Sequence, residues 1–279
     1  MQYLKSILHF IVFTNIFISF CGAVMSIGIC HQLNIPDGIN YGVIFFFATL
    51  SVYNFQRIIR SYHLRSVSSF YLNWIRKHTL LLWVISVVSC FFTLWLGVSF
   101  FHLNTPLFYL ITIGVVLSVF YVIRVSGINL RSIPTLKIHL ISLTWVISVG
   151  FVPIINECGS HIELLPFLFV SSHYLFFMAL CILFDIRDLE IDDPQIRTVP
   201  QILGIHKSKM LVLVFLSIFA LSIMIIHASS FYFALFFLLL ISFMIIFILK
   251  SSHPNLTDRF YIVIDSCILL LGLIYFFFY

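Results

Sequence analysis

Charged residues are scarce in this chain. Asp, Glu, Lys and Arg make up 9% of the residues, whereas a soluble domain carries roughly 25%. This shortage excludes an ordinary soluble protein. The six cysteines form no CxxC or similar spacing, which excludes a zinc or disulfide framework and predicts that they are small buried apolar side chains.

Apolar residues take the place of the missing charges. They make up 62% of the chain, which includes 33 Phe, and the mean hydropathy is +1.14. Disordered chains are poor in aromatic residues, so disorder is excluded as well. The composition therefore indicates an integral membrane protein.

Nine apolar runs predict an all-α fold, a polytopic membrane helical bundle that forms one domain over residues 1–279. Each run approaches the ~20 mainly apolar residues that a spanning helix needs, and turn-forming stretches such as "NIPDG" and "SSHPN" separate them. Counts of eight or ten spans are the alternatives. The predicted spans 1 to 9 cover about 7–30, 39–59, 79–101, 107–123, 138–156, 164–184, 210–228, 231–249 and 260–278.

The basic residues predict the orientation of the bundle. In the nine-span scheme all 15 Lys and Arg fall on one side, while the other side carries Asp37, Glu157 and Glu163 and no basic residue. Lys and Arg are retained on the cytoplasmic side of a membrane. We therefore expect the N-terminus inside and the C-terminus outside, in a bacterial inner (plasma) membrane.

Acidic residues gather at the cytoplasmic end of span 6. The stretch "FDIRDLEIDDPQIRT" holds five of the ten acidic residues of the chain. If the helix continues past Phe184, Asp185, Asp188 and Asp192 lie on one face, where like charges repel unless they are neutralised. Mg²⁺ prefers such oxygen ligands and shares its shell with phosphate. The alternative is an acidic loop whose charges balance nearby arginines.

Basic residues gather at the end of span 2, in "YNFQRIIRSYH". Asn54 and Arg57 share a helical face, and Arg57 and Arg60 are also three residues apart. Arg offers paired planar donors that suit a phosphate. The alternative is that these arginines only extend to the membrane surface and mark its cytoplasmic side.

The stretch "DIRDLEIDDPQIRTVPQILG" resembles the second Asp-rich motif of the UbiA superfamily of intramembrane prenyltransferases. That motif reads approximately DxxDxxxD, followed by a basic residue, Thr and a hydrophobic-Pro pair. The resemblance implies a nine-helix bundle with its motifs after helices 2 and 6. It assigns Mg²⁺ binding and catalysis to Asp185, Asp188 and Asp192 and, with the "LRSIPTLK" loop, assigns diphosphate binding to Arg131, Lys137 and Arg197.

The first motif of the superfamily, NxxxDxxxD, is altered here. Asn54 matches it, but Ile58 and Tyr62 stand where the family has aspartates. We therefore expect Asn54, Arg57 and Arg60 to bind the substrate diphosphate, with guanidinium groups in place of a second metal ion.

The resemblance implies transfer of a prenyl group from a lipid diphosphate to a hydrophobic acceptor, either an aromatic compound or a lipid. Mg²⁺ and Arg would neutralise the leaving pyrophosphate, and a chamber lined by Phe and Tyr could hold the isoprenoid and stabilise a carbocation. The expected partners are these substrates and membrane lipid, with no nucleic acid. The alternatives are a catalytically impaired lipid-binding protein and, less favoured because no internal repeat is evident, a transporter.

Two polar residues inside predicted spans also stand out. Asp265 lies ~9 Å from the cytoplasmic end of span 9 at the helical rise, and an acid within a membrane is a candidate functional residue. We expect it near the floor of the same cavity. His173, in span 6, is expected to be neutral and to bond a neighbouring helix.

The orientation can be tested with reporter fusions. Fusions after Asn34, His102 and Gly159 should report the outside, and fusions after Ser66 and Gly204 the inside, because the basic residues all fall in the inside loops. A cytoplasmic signal at Gly159 would contradict the scheme, since it would also move the acidic cluster to the other side.

Overall fold

The computed structural model describes residues 2–63, 70–102, 105–121, 133, 135–159, 161–189, 197–226, 230–250 and 259–278. Over these residues the regular structure is helical. Its α-helices are α1 (Gln2–Phe13), α2 (Ile16–Gln32), α3 (Gly38–His63), α4 (Phe70–Lys77), α5 (Thr79–Phe100), α6 (Thr105–Phe120), α7 (Leu136–Val146), α8 (Val152–Cys158), α9 (Leu164–Arg187), α10 (Val199–Ile226), α11 (Phe231–Lys250) and α12 (Arg259–Phe277).

The helices confirm an all-α fold with several segments able to cross a membrane. Among the described residues, six helices are long and apolar enough: α3, α5, α7 continued into α8, α9, α10 and α11. The pair α1 and α2 adds a seventh if it is one bent span, and α6 and α12 contain shorter apolar stretches. Each of the nine predicted spans overlaps one of these helices or helix pairs. That all nine cross the membrane stays a prediction.

The first predicted span is not one continuous helix, so that prediction was wrong. The helix breaks at Thr14 and Asn15, and the segments on either side differ in direction by 63°. Asn15 has a left-handed backbone with φ 61°, a conformation that Asn adopts more readily than most residues because its short polar side chain bonds locally. The break turns α1 away from the axis of α2.

Two other helices differ from the predicted segments. α10 begins at Val199 rather than at residue 210, and it bends at Gly204, where φ is 77° and ψ is 161°. Between α7 and α8 the helix continues through a π-helical segment, Ile147–Phe151. Pro153 follows it, and because proline has no N–H and crowds the preceding turn, a wider turn accommodates it.

Small residues bring α2 and α12 into backbone contact. A Cβ atom on Gly28 would lie 2.3 Å from the carbonyl oxygen of Gly272, and one on Gly272 would lie 2.7 Å from the backbone of Met25. Helices in membranes associate through such close packing because lipid offers no hydrophobic driving force between them. This contact holds α12 against the C-terminal half of α2.

Buried polar groups tie the same helices together. His173 on α9 donates from Nδ1 to the carbonyl of Phe169 at 2.8 Å, and its Nε2 accepts from the hydroxyl of Tyr275 on α12 at 2.9 Å. The bond to Tyr275 confirms the expectation that His173 contacts a neighbouring helix, and its neutral state stays a prediction. Of the cysteines, Cys90 and Cys158 are exposed, so the prediction that all six are buried was wrong for these two.

The glycine contact predicts a large cost for a single methyl group. Gly28→Ala should destabilise the protein by about 1–3 kcal/mol, because the new Cβ meets backbone that cannot easily move. Gly97→Ala is the control, since its Cβ would lie 3.6 Å from the nearest atom of Phe101. Thermal unfolding in detergent measures both. Equal melting temperatures for the two variants would contradict the close packing of α2 and α12.

Candidate functional site

Charged side chains from four parts of the fold line one cavity of about 210 Å³. The cavity lies where the C-terminal ends of α3 and α9 meet the N-terminal parts of α7 and α12. With every group ionised, the described lining carries four positive and three negative charges. The basic residues are Arg57, Arg60, Lys137 and Arg187, and the acidic residues are Asp185, Asp188 and Asp265.

Asp185 and Lys137 form a buried ion pair within this cavity. The Lys137 Nζ lies 2.5 Å from the Asp185 Oδ1, and the side chains are only 9% and 1% exposed. Both residues are among the predicted site residues, so the structure brings an expected metal ligand and an expected diphosphate contact together. In the absence of a ligand, the lysine neutralises the acid.

Asp188 ends α9 and pairs with two arginines. Its Oδ1 accepts a hydrogen bond from Arg187 Nε at 2.8 Å, and Arg60 Nη1 lies 3.8 Å from its Oδ2. Burial alone would raise the pKa of the Asp188 carboxyl, but Arg187 and then Arg60 outweigh it and hold that pKa well below its usual range. Asp188 is therefore an anion at neutral pH.

α9 continues past Phe184 by three residues, and this brings Asp185 and Asp188 to one face, as the conditional prediction required for these two residues. The helix ends at Arg187, with Asp188 as its C-cap, because carboxylates are unfavourable at the negative end of a helix dipole. Asp185 and Asp188 still face one cavity. Asp192 and Arg131 lie outside the described residues, and Arg197 is exposed, with φ 50°, and is not part of the cavity lining.

Asn54, on α3, forms side-chain hydrogen bonds to the break between α1 and α2. Its Nδ2 donates to the carbonyls of Thr14 at 2.9 Å and Leu50 at 2.8 Å, and its Oδ1 accepts from Asn15 Nδ2 at 3.0 Å. The side chain is fully buried. The predicted contact of Asn54 with a diphosphate stays a prediction. Such a contact would compete with these hydrogen bonds.

Arg57 caps the open end of α1 while lining the cavity. Its Nη1 donates to the carbonyls of Val12 at 3.1 Å and Phe13 at 2.5 Å, and its guanidinium carbon lies 5.1 Å from the centre of the Tyr71 ring. These carbonyls lie where the i→i+4 bonding of α1 ends, and Val12 also accepts the Asn15 N–H at 3.2 Å. Arg57 is thus already ordered on one edge, and the rest of its guanidinium faces the cavity.

The two positions that replace aspartates in the first motif do not supply metal ligands. Ile58 is fully buried against Ile75 and Leu82, and Tyr62 is 45% exposed. Within the described part of the chain, no three His, Cys, Asp or Glu side chains are close enough together to hold a metal ion.

Asp265 occupies the place expected for it, in the lining of the charged cavity. It is 6% exposed, and its Oδ1 has no hydrogen-bond partner among the described residues.

Sequence reasoning missed two contributors to this site. The break that Asn54 and Arg57 hold was signalled only by the polar pair Thr14–Asn15 inside an apolar run. Tyr71 comes from the short helix α4, whose sequence "FYLNWIRK" alternates apolar and polar residues at helical spacing and is too short for a span.

Sequence comparison and structural comparison give different answers. No protein-family model and no curated protein match the sequence. Solved structures do match: a UbiA homolog from Archaeoglobus fulgidus bound to GPP and Mg²⁺ has a TM-score of 0.60 at 10% identity, covering 95% of this chain and 98% of that one. The chain has the UbiA fold.

Further solved structures share this UbiA fold. The Archaeoglobus fulgidus homolog bound to Cd²⁺ has a TM-score of 0.59 at 10% identity, covering 95% of this chain and 97% of that one. A digeranylgeranylglyceryl phosphate synthase has a TM-score of 0.56 at 14% identity, covering 99% and 98% of the two chains. At such identities the UbiA fold is established, and the roles of individual residues rest on the geometry of the cavity.

The buried ion pair predicts a large loss of stability when it is broken on one side. Lys137→Met should destabilise the protein by about 3–5 kcal/mol, because Asp185 would remain buried and unpaired. Replacing both residues, with Lys137→Met and Asp185→Leu together, should cost less than Lys137→Met alone. Lys77→Met, at an exposed position, is the control, and unfolding in detergent is the measurement. A double variant that is less stable than Lys137→Met would contradict the pairing.

Proposed function

We propose that the protein is an intramembrane prenyltransferase that binds a prenyl diphosphate in the charged cavity and transfers the prenyl group to a hydrophobic acceptor. The observation that carries this proposal is one cavity with four basic and three acidic side chains at one end of a UbiA fold. A diphosphate and a divalent cation are the ligands whose charges complement such a mixed lining. A UbiA homolog with this fold binds GPP and Mg²⁺.

The donor set of the cavity fits one Mg²⁺. Asp185 and Asp188 stand one helical turn apart at its edge, and Mg²⁺ is commonly held by one or two carboxylates, with water and phosphate oxygens completing its shell. When bound, Mg²⁺ would neutralise the charge that develops on the leaving pyrophosphate. Ile58 and Tyr62 provide no carboxylate for a second ion, so we propose one metal per site, with Asp192 as a further ligand.

The basic side chains of the cavity orient and neutralise the diphosphate. Arg60 Nη1 lies 3.8 Å from the Asp188 carboxylate and its side chain is 28% exposed, so it can turn towards a ligand in the cavity. Once a divalent cation binds Asp185 in place of Lys137, the lysine can pair with a phosphate oxygen instead. We assign Arg57 to the same diphosphate, and from the resemblance also Asn54, Arg131 and Arg197.

Aromatic side chains exclude water from the reacting carbon. Tyr53, Trp145, Phe177 and Phe184 line the cavity beside the charged groups. Their ring faces attract cations, so they can stabilise the positive charge that appears as the allylic C–O bond breaks. An electron-rich acceptor, either an aromatic ring or a lipid, then captures that carbon.

The proposed setting is a membrane with the cavity open towards the cytoplasm. In the nine-span scheme the ends of α3 and α9 lie on the side that holds all 15 basic residues. A substrate made in the cytoplasm would reach the charged groups from this side, and its chain would enter the bundle.

The second candidate function is lipid binding without catalysis. It is favoured by one observation: Ile58 and Tyr62, at the first-motif positions, provide no carboxylate, and Asp185 and Asp188 are paired with basic groups of the chain. Transfer from a radiolabelled prenyl diphosphate into membrane lipids separates the two candidates. Tight binding with no transfer would support the lipid-binding function.

The metal end of the site is tested by Asp188→Asn, which keeps the shape of the side chain and removes its charge. Mg²⁺-dependent affinity for geranyl diphosphate should fall at least about tenfold, the lower end of losses seen when metal sites are altered. Asp37→Asn is the control, because Asp37 is exposed and lies far along α3 from the cavity. If Asp188→Asn binds geranyl diphosphate as tightly as the parent does, the acidic cluster is better interpreted as a solvated loop.

The arginines are tested by Arg57→Ala and Arg60→Ala. If guanidinium groups replace a metal ion, each variant should lose about as much affinity for geranyl diphosphate as Asp188→Asn, roughly tenfold or more. Because Arg57 also caps α1, unfolding is measured alongside binding. Parent-like affinity in both variants would contradict the substitution of arginine for metal.

A further inference from the structure

A second cavity, of about 230 Å³, lies beside the charged one and shares lining residues with it. It runs between the N-terminal half of α3, α5, α6 and the π-helical segment, and no charged residue lines it. Tyr41, Phe45, Phe101, Ile111 and Val152 are among its walls. Its volume is similar to that of the charged cavity.

Two aromatic residues separate the cavities. Tyr53 and Trp145 line both of them, and both also line a small pocket of about 40 Å³ at their junction. The Trp145 Nε1 donates a hydrogen bond to the Tyr53 hydroxyl at 2.8 Å, and the rings meet edge to face at an angle of 82°. The pair therefore forms the partition between a charged chamber and an apolar one.

The cavities follow each other along α3. Arg57 and Arg60 lie one to two turns beyond Tyr53 towards the C-terminal end, while Tyr41 lies near the other end of the helix. From Arg57 to Tyr41 the helix rises by roughly 24 Å. A lipid whose diphosphate is held at Arg57 and Arg60 would direct its chain towards Tyr53 and, past it, into the apolar cavity.

The partition is held in a way that allows it to open. One neutral hydrogen bond joins the two side chains, and such bonds contribute little net stability. Trp145 also packs against Phe45 and Phe177, whose rings would have to shift with it. Trp145 also precedes the π-helical segment by only two residues, and π-helical turns are frequent at functional sites. Rotation of either ring would join the two cavities into one passage.

We propose that the Tyr53–Trp145 pair is a gate that admits the isoprenoid chain to the apolar cavity and so sets the chain length of the diphosphate that the protein prefers. This inference rests on the proposed function, since it requires the diphosphate to bind in the charged cavity. A short chain remains on the charged side of the gate. A longer chain displaces the gate and occupies the apolar cavity.

The experiment measures the affinity of the full chain in detergent for geranyl and geranylgeranyl diphosphate, with Mg²⁺ present. Tyr53→Phe removes the hydrogen bond and keeps the ring, and Trp145→Leu widens the gate. Each should raise the preference for geranylgeranyl over geranyl diphosphate severalfold, because the longer chain no longer has to open the gate. Trp145→Phe, which keeps an aromatic wall without the N–H, should resemble Tyr53→Phe.

Gly114→Leu tests the apolar cavity itself. Gly114 lines that cavity, and a Cβ there would lie 3.9 Å from Ile147, so a side chain can be added without a clash at its base. The added side chain should weaken geranylgeranyl diphosphate binding by about tenfold, the effect of losing burial of a few methylene groups. Affinity for geranyl diphosphate should remain that of the parent.

The outcomes separate the gate from the proposed function. If the parent binds both diphosphates and the ratio of affinities is the same in all four variants, the gate is wrong and the proposed function stands. If neither diphosphate binds the parent, both proposals fail. Opposite shifts of the ratio in Trp145→Leu and Gly114→Leu would support the gate.

Discussion

Charges inside a membrane bundle must be balanced locally, because neither lipid nor packed side chains can solvate them. In this protein the balance is made by pairs within one cavity: Asp185 with Lys137, and Asp188 with Arg187 and Arg60. A bare anion or a bare cation entering the cavity would disturb that balance. A diphosphate together with a divalent ion would preserve it, since the bases can move to the anion as the acids take the cation.

A second set of polar contacts gives the cavity its wall. The break between α1 and α2 interrupts the i→i+4 bonding of the backbone, and Arg57 and Asn54 on α3 donate hydrogen bonds to carbonyls at the break. The residues that sequence reasoning assigned to a ligand are therefore also part of the support of the fold. Because Arg57 both caps a helix and faces the cavity, loss of substrate affinity in its variants has to be separated from loss of structure.

Much of the architecture follows from the sequence because apolar run length and the placement of basic residues are local properties. The overlap of all nine predicted spans with helices and the position of Asp265 in the cavity are examples. What failed depended on tertiary contacts. The bend at Asn15 is stabilised by a hydrogen bond from Asn15 to Asn54 on α3. The partition formed by Tyr53 and Trp145 joins residues 92 positions apart in the chain, which no spacing rule could reveal.

The most direct test of the exchange of charges is the mutual dependence of metal and diphosphate binding. Free Mn²⁺, used in place of Mg²⁺, can be followed by electron paramagnetic resonance as it binds the purified protein. We expect Mn²⁺ alone to bind weakly. With geranyl diphosphate present, Mn²⁺ should bind more tightly and saturate at about one ion per chain, beyond what the free diphosphate binds. Mn²⁺ should in turn raise the affinity for geranyl diphosphate by the same factor as the diphosphate raises the affinity for Mn²⁺, because the coupling between two binding sites is reciprocal. Mn²⁺ binding that is indifferent to geranyl diphosphate would contradict it.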